Sequence, residues 1–142
     1  MSLFSRTRIA KFFIVNLLFI AGMINEAAAQ QKIVWEIGSG DTSVQRMLYR
    51  QINNVLKAAP DTKIEVVYHG QAIYAVLSDT GHYKMELKEA QKKVTMVACS
   101  NSLKNRGIDP SRLISNITVV PVAILEIAKK QSEGWSYIKA GH

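Results

Sequence analysis

The sequence predicts an α/β protein, a three-layer α/β/α domain on a mainly parallel five-stranded sheet. Two observations carry this reading. Short β-branched runs such as KIVWEI at Lys32 to Ile37 and KIEVVY at Lys63 to Tyr68 recur along the chain. The first is too apolar for a strand with one wet face, so burial between two layers is implied. Between such runs lie stretches whose apolar residues fall at three- and four-residue steps, which is the helical period. Strands alternating with helices argue βαβ units and a parallel sheet.

Each element has its own signal. Gly38, Ser39, Gly40 and Asp41 form a turn after the first strand, and Asp41 or Thr42 can cap the next helix. The turn lacks the lysine and the third glycine of phosphate-binding loops, so it reads as a plain turn. Val44, Met47, Leu48, Ile52, Val55 and Leu56 mark a helix to about Ala58, ended by Pro60. This unit and the second strand should form a right-handed crossover. Gln71 to Leu77 suits a short helix broken at Ser78, Asp79, Thr80 and Gly81, and His82 to Lys92 suits a surface helix.

Val94 to Ala98 reads as a central strand, and Ser100 and Asn101 can cap a short helix to Arg106 that Gly107 closes. Asp109 and Pro110 begin a further turn, with proline at the first helical position. Asn116 to Val120 is a fourth strand, and Pro121 opens a helix over Val122 to Glu133 that Gly134 ends. Trp135 to Ile138 makes a last strand with one aromatic face, suited to core packing or a subunit contact.

The first 29 residues read as a secretory signal peptide rather than as part of the fold. Arg6, Arg8 and Lys11 precede an apolar run from Phe12 to Ile24, and Ala27 to Ala29 offer a cleavage site. The run is short of the roughly 20 apolar residues of a membrane span, so no stable membrane anchor is expected after cleavage. Thr7 separates the arginines, against a twin-arginine signal. Cleavage after Ala29 would leave residues 30–142 as a single domain, periplasmic or secreted.

The net charge of +7 over 142 residues falls to about +5 without the leader. Lys84, Glu86, Lys88 and Glu89 show the mixed signs of a solvated helix face, and no nucleic-acid partner is expected. The single cysteine, Cys99, has no intrachain partner for a disulfide. It must be buried, paired with another molecule, or chemically used. With three histidines and one cysteine lacking ligand spacing, neither a metal site nor a cofactor is expected.

Cys99 falls at a strand-to-helix junction, where ligands of open α/β sheets collect and helix N–H groups favour a thiolate. His69 and Gly70 end the second strand as Cys99 ends the central one, so both should line one sheet edge. That makes Cys99 the candidate reactive residue, with His69, Gly70, Ser100 and Asn101 as candidate ligand contacts. A buried cysteine that packs as a small hydrophobe is the competing reading.

The run VACSNSLKNRGID at Val97 to Asp109 resembles the DsrE family, whose intracellular members include sulfur-relay proteins. Cys99, Asn101, Ser102, Leu103, Arg106, Gly107 and Ile108 match its C-x-N-[ST]-L-x-x-[RK]-G-[IL] pattern as they stand. EVVYHG, KIVWEI and VVPVAILEIAKKQSEGWSYIK (Val119 to Lys139) extend the resemblance over nearly all of the mature chain. The resemblance implies a compact α/β fold and a homo-oligomer, trimer or hexamer. It also implies a cysteine, here Cys99, that takes sulfane sulfur as a persulfide and hands it to a partner protein's cysteine.

A sulfur carrier or sulfurtransferase subunit is therefore expected first. A non-catalytic module stands as the alternative, either binding a small anion beside Cys99 or acting as an oligomeric structural subunit. A hydrolase ranks last, because no serine or cysteine is visibly paired with a base and an orienting acid.

Overall fold

The computed structural model describes residues 30–79, 89–90 and 92–141. The leader reading, most of the helix expected at His82 to Lys92, and His142 lie outside them. Five parallel strands stand in the order β4-β3-β2-β1-β5: β1 (Lys32–Ile37), β2 (Lys63–Tyr68), β3 (Thr95–Cys99), β4 (Ile117–Val120) and β5 (Ser136–Lys139). The α/β class and the parallel sheet are as predicted.

Strand order explains the layers. The crossovers from β1 to β4 all step one way across the sheet, whereas the connection from β4 to β5 runs back past β3, β2 and β1. Crossovers of one hand that step in opposite directions put their helices on opposite faces. Accordingly α1 (Thr42–Ala58), the 3₁₀ helix Gly70–Val76 and α2 (Ser100–Lys104) cover the first face. There Leu48, Ile52, Ile73 and Leu103 pack on Ile37, Val66, Tyr68 and Ala98. Among the described residues the one helix on the second face is α3 (Ala123–Ser132), with Ala123 and Ile127 against Val34, Val67, Val97 and Cys99. This is the predicted three-layer arrangement, with a thin second layer.

Alternation along each strand sets the faces. Trp35 and Ile37 belong to the first face, and Val34 and Glu36 to the second. The second face also holds Glu65, only 3 % exposed, whose Oε2 meets Lys130 Nζ at 2.8 Å. Burial pushes the Glu65 carboxyl up despite that ammonium. For Lys130 burial acts downward, but Glu65, Glu126 and Glu133 outweigh it and hold the ammonium above its ordinary value. Lys130 also stands 4.8 Å over the ring of Trp135, which is partly buried against this second cluster.

Three local readings need correction. Gln71 to Leu77 is a 3₁₀ helix, Gly70–Val76, because the left-handed Gly70 (φ 51°) starts it tightly and an antiparallel bridge from Leu77 to Leu113 stops it. Ser100 does not cap α2 from outside. It is the first helical residue, and Cys99 is the cap, without a side-chain cap bond. Pro121 stands before the cap Val122 of α3 rather than inside the helix. The Asp41 cap is as expected, its carboxylate accepting from the Ser43 N–H at 2.7 Å. Gly107 and Gly134 end their helices in left-handed conformation.

Candidate functional site

The loop after β3 turns to the first face as α2, whereas the loop after β4 turns to the second face as α3. Between these two adjacent strands lies the topological switch point, where the carboxyl ends open a crevice. Cys99 ends β3 there, paired in register with Val120 of β4. Asn101 donates its N–H across the crevice to the Pro121 carbonyl at 3.4 Å, and Ala123 donates its N–H to Cys99 Sγ at 3.4 Å.

Cys99 is 4 % exposed and packs within the smaller core cluster. Burial by itself raises its pKa. The N–H groups of Ala123, Ser102 and Asn101 and the Ser102 hydroxyl outweigh that and bring the thiol below its ordinary value. Ser102 is held for this by the Gly70 N–H, which donates to Ser102 Oγ at 3.0 Å and leaves the hydroxyl proton for sulfur. Gly70 cannot be larger here, since a Cβ would lie 2.9 Å from the Gly38 carbonyl oxygen. Gly70 thus positions Ser102 through its backbone. Ser100 is half-buried at the start of α2, and Asn101 is exposed beside it.

His69 follows β2 with extended backbone, and its N–H prolongs the ladder to the Ile37 carbonyl at 3.0 Å. Its Nε2 lies 2.8 Å from Glu36 Oε1, and the other oxygen of Glu36 accepts the Tyr137 hydroxyl. Burial alone would raise the Glu36 carboxyl. The bonds from Tyr137 and His69, with the charges of His69 and Lys139, overcome it and keep the group below its usual value. The same carboxylate drives the Tyr137 phenol up to about 12.

Sequence reasoning had placed Cys99 and His69 at one sheet edge, and they stand there. It did not single out Glu36, Tyr137 or Ser102. A glutamate in the apolar run KIVWEI was the available signal, because a carboxylate buried in a central strand needs a partner. The Gly38 turn also has a purpose that its composition concealed: a Cβ there would lie 2.7 Å from His69 Cε1. Among the described residues no group of three or more His, Cys, Asp or Glu side chains is placed to hold a metal ion.

Comparison with known proteins agrees with this architecture. No curated protein matches the chain. A solved protein of unknown function, MTH1491 from Methanobacterium thermoautotrophicum, is 28 % identical at a TM-score of 0.74, over 78 % of this chain and 99 % of its own. The ychN protein from E. coli shares the fold at a TM-score of 0.64 and 13 % identity, over 78 % of this chain and 98 % of its own. The family model described as DsrE/DsrF-like matches residues 20–140. With that match spanning the whole sheet and the crevice at Cys99, the chain belongs to the DsrE/DsrF-like family.

Proposed function

We propose that this protein carries sulfane sulfur on Cys99 as a persulfide. One observation carries the reading: at the switch-point crevice the sulfur atom accepts the Ala123 N–H at 3.4 Å, and the nearby N–H groups of Ser102 and Asn101 and the Ser102 hydroxyl join it in lowering the thiol pKa. Donors placed in this way stabilise a thiolate, and they stabilise equally the negative sulfur of a persulfide. Membership of a family with sulfur-relay proteins points the same way. With a single cysteine in the chain, no resolving thiol is present, so the bound sulfur must pass to another molecule. The leader reading would place this exchange outside the cytoplasm.

A homo-oligomer belongs to the same proposal. Ile124 and Leu125 on α3 are 61 % and 66 % exposed, and Val119 and Ile138 are exposed too, which supports association between copies. Light scattering of the purified protein tests this, and a monomer at all concentrations would contradict it.

The test of the carrier reading is intact mass after incubation with inorganic polysulfide, beside Cys99→Ser. Wild type should gain about 32 mass units per sulfur, removable by reductant, and the variant nothing. The burial of Cys99 favours a second reading, a binding or structural module whose thiol only packs. That reading requires modification solely after unfolding, together with unchanged ligand affinity in Cys99→Ala.

A further inference from the structure

The second face of the sheet is unevenly covered. α3 packs mainly on β1, β2 and β5, with its first residues beside Cys99 at the carboxyl end of β3. At the other end of the sheet, where β2 and β3 begin, a cavity of about 590 Å³ opens beside the last turn of α3. Lys63 and Glu65 share the second face with Val67, as Thr95 does with Val97, and all of them but the two valines line that cavity. Lys130 and Trp135 line it from the α3 side and Lys93 from the β3 side. From Thr95 to Cys99 the strand advances roughly 13 Å, so the cavity is separate from the thiol crevice.

Two of the lining residues bury an oxygen that has no partner. Glu65 is 3 % exposed; its Oε2 meets Lys130 Nζ at 2.8 Å, but among the described residues Oε1 has no hydrogen-bond partner. Glu126, the other carboxylate beside Lys130, offers Glu65 no donor when ionised. Thr62 is 6 % exposed, and its Oγ1 is unpartnered in the same way. Buried polar atoms are nearly always bonded, so a carboxylate oxygen and a hydroxyl left over at one cavity call for a ligand that brings hydroxyl groups.

Charge supplies the other half of the chemistry. Lys130 is engaged by Glu65 and Glu126, and Lys92 by Glu89. Lys63 and Lys93 are exposed at the cavity and form no ion pair among the described residues. Two free ammonium groups suit a phosphate ester, whose charge is about −1.5 to −2 at neutral pH.

We propose that this cavity binds a hydroxylated phosphate ester, with Lys63 and Lys93 on the phosphate and with Glu65 Oε1 and the Thr62 hydroxyl on the hydroxyl groups. The chemistry is shared by sugar phosphates and nucleotides. It stands apart from the carrier reading, because no part of the site touches Cys99.

The experiment is isothermal titration calorimetry of the full chain with ribose 5-phosphate, adenosine monophosphate and methyl phosphate. Ribose 5-phosphate should bind at least about tenfold more tightly than methyl phosphate, which carries the same charge without hydroxyl groups. Adenosine monophosphate binding equally or more weakly identifies a sugar phosphate as the ligand; binding about tenfold more tightly identifies a nucleotide, its base against Trp135. Lys63→Met/Lys93→Met changes exposed side chains, so its urea midpoint should stay at the wild-type value while affinity for the esters falls about tenfold or more. Thr62→Val should weaken ribose 5-phosphate and leave methyl phosphate unchanged. Cys99→Ser should bind as wild type does; a loss there moves the ligand to the thiol crevice and overturns the site. No binding of either hydroxylated ester at millimolar concentration overturns the proposal. Equal affinity for ribose 5-phosphate and methyl phosphate does so too, as does wild-type affinity in the lysine double variant.

Discussion

Gly38→Ala tests how tightly the turn after β1 is fitted to the imidazole. Gly38 is not in the left-handed region, so alanine meets no backbone strain there. The cost must come from contact. The new methyl carbon would lie 2.7 Å from Cε1 and 3.0 Å from Nε2 of His69, where relaxed contacts between carbons need about 3.5–4.0 Å. The ring has to move by about 1 Å, which takes Nε2 out of range of Glu36 Oε1, now 2.8 Å away. Loss of a hydrogen bond to a charged group costs about 1.5–3 kcal/mol, and crowding adds a similar amount where nothing yields. The His69 side chain keeps 25 % of its exposure, so it has somewhere to move and water replaces part of the lost bond. A destabilisation of about 2 kcal/mol is therefore expected. Urea unfolding at fixed protein concentration measures it, and the same substitution in a His69→Ala background supplies the control. With the ring absent, the alanine should be neutral or stabilising by about 0.5 kcal/mol, because it restricts the unfolded chain. Equal costs in the two backgrounds would refute the fit.

Three further outcomes follow from the geometry. Ser102→Ala removes a donor from Cys99 Sγ, so the pH midpoint of thiol alkylation should rise; a midpoint at or below wild type counts against the donor ring. Lys130→Met leaves the Glu65 carboxylate buried without its ammonium and should cost about 3 kcal/mol in urea unfolding, with most of the loss recovered in the Glu65→Leu/Lys130→Met double variant. A neutral single variant would contradict the importance of that pair. The Glu36 carboxyl titrates below its ordinary 4.5 in the folded chain, so it contributes stability above that pH and loses it as pH falls through the folded value. Glu36→Gln should flatten this part of the stability curve below pH 4.5, and an unchanged acid slope would exclude Glu36 as its source.

Most of the fold was legible because its signals are local. KIVWEI, KIEVVY and the run ending at Cys99 announce strands by composition, and the helical stripe from Val44 announces α1 by period. Gly107 and Gly134 mark helix ends through their backbone freedom. The 3₁₀ form of Gly70–Val76 was not legible, because it depends on how Gly70 meets Gly38 and on the bridge to Leu113. Strand order was likewise undetermined by pattern, since any of several orders would alternate the same elements.

The site divides along the same line. Sequence by itself determined that Cys99 and His69 stand at the carboxyl ends of two strands, because strand ends and the residues following them are written in the chain. Only tertiary structure decided what surrounds them. The return of β5 to the far side of β1 brings Tyr137 to Glu36, across an interval of 101 positions. The turn of α3 onto the second face brings the Ala123 N–H to the sulfur. Both are long-range consequences of burying two sheet faces at once: side-chain period assigns a residue to a face, but strand order alone decides which residues of that face become neighbours.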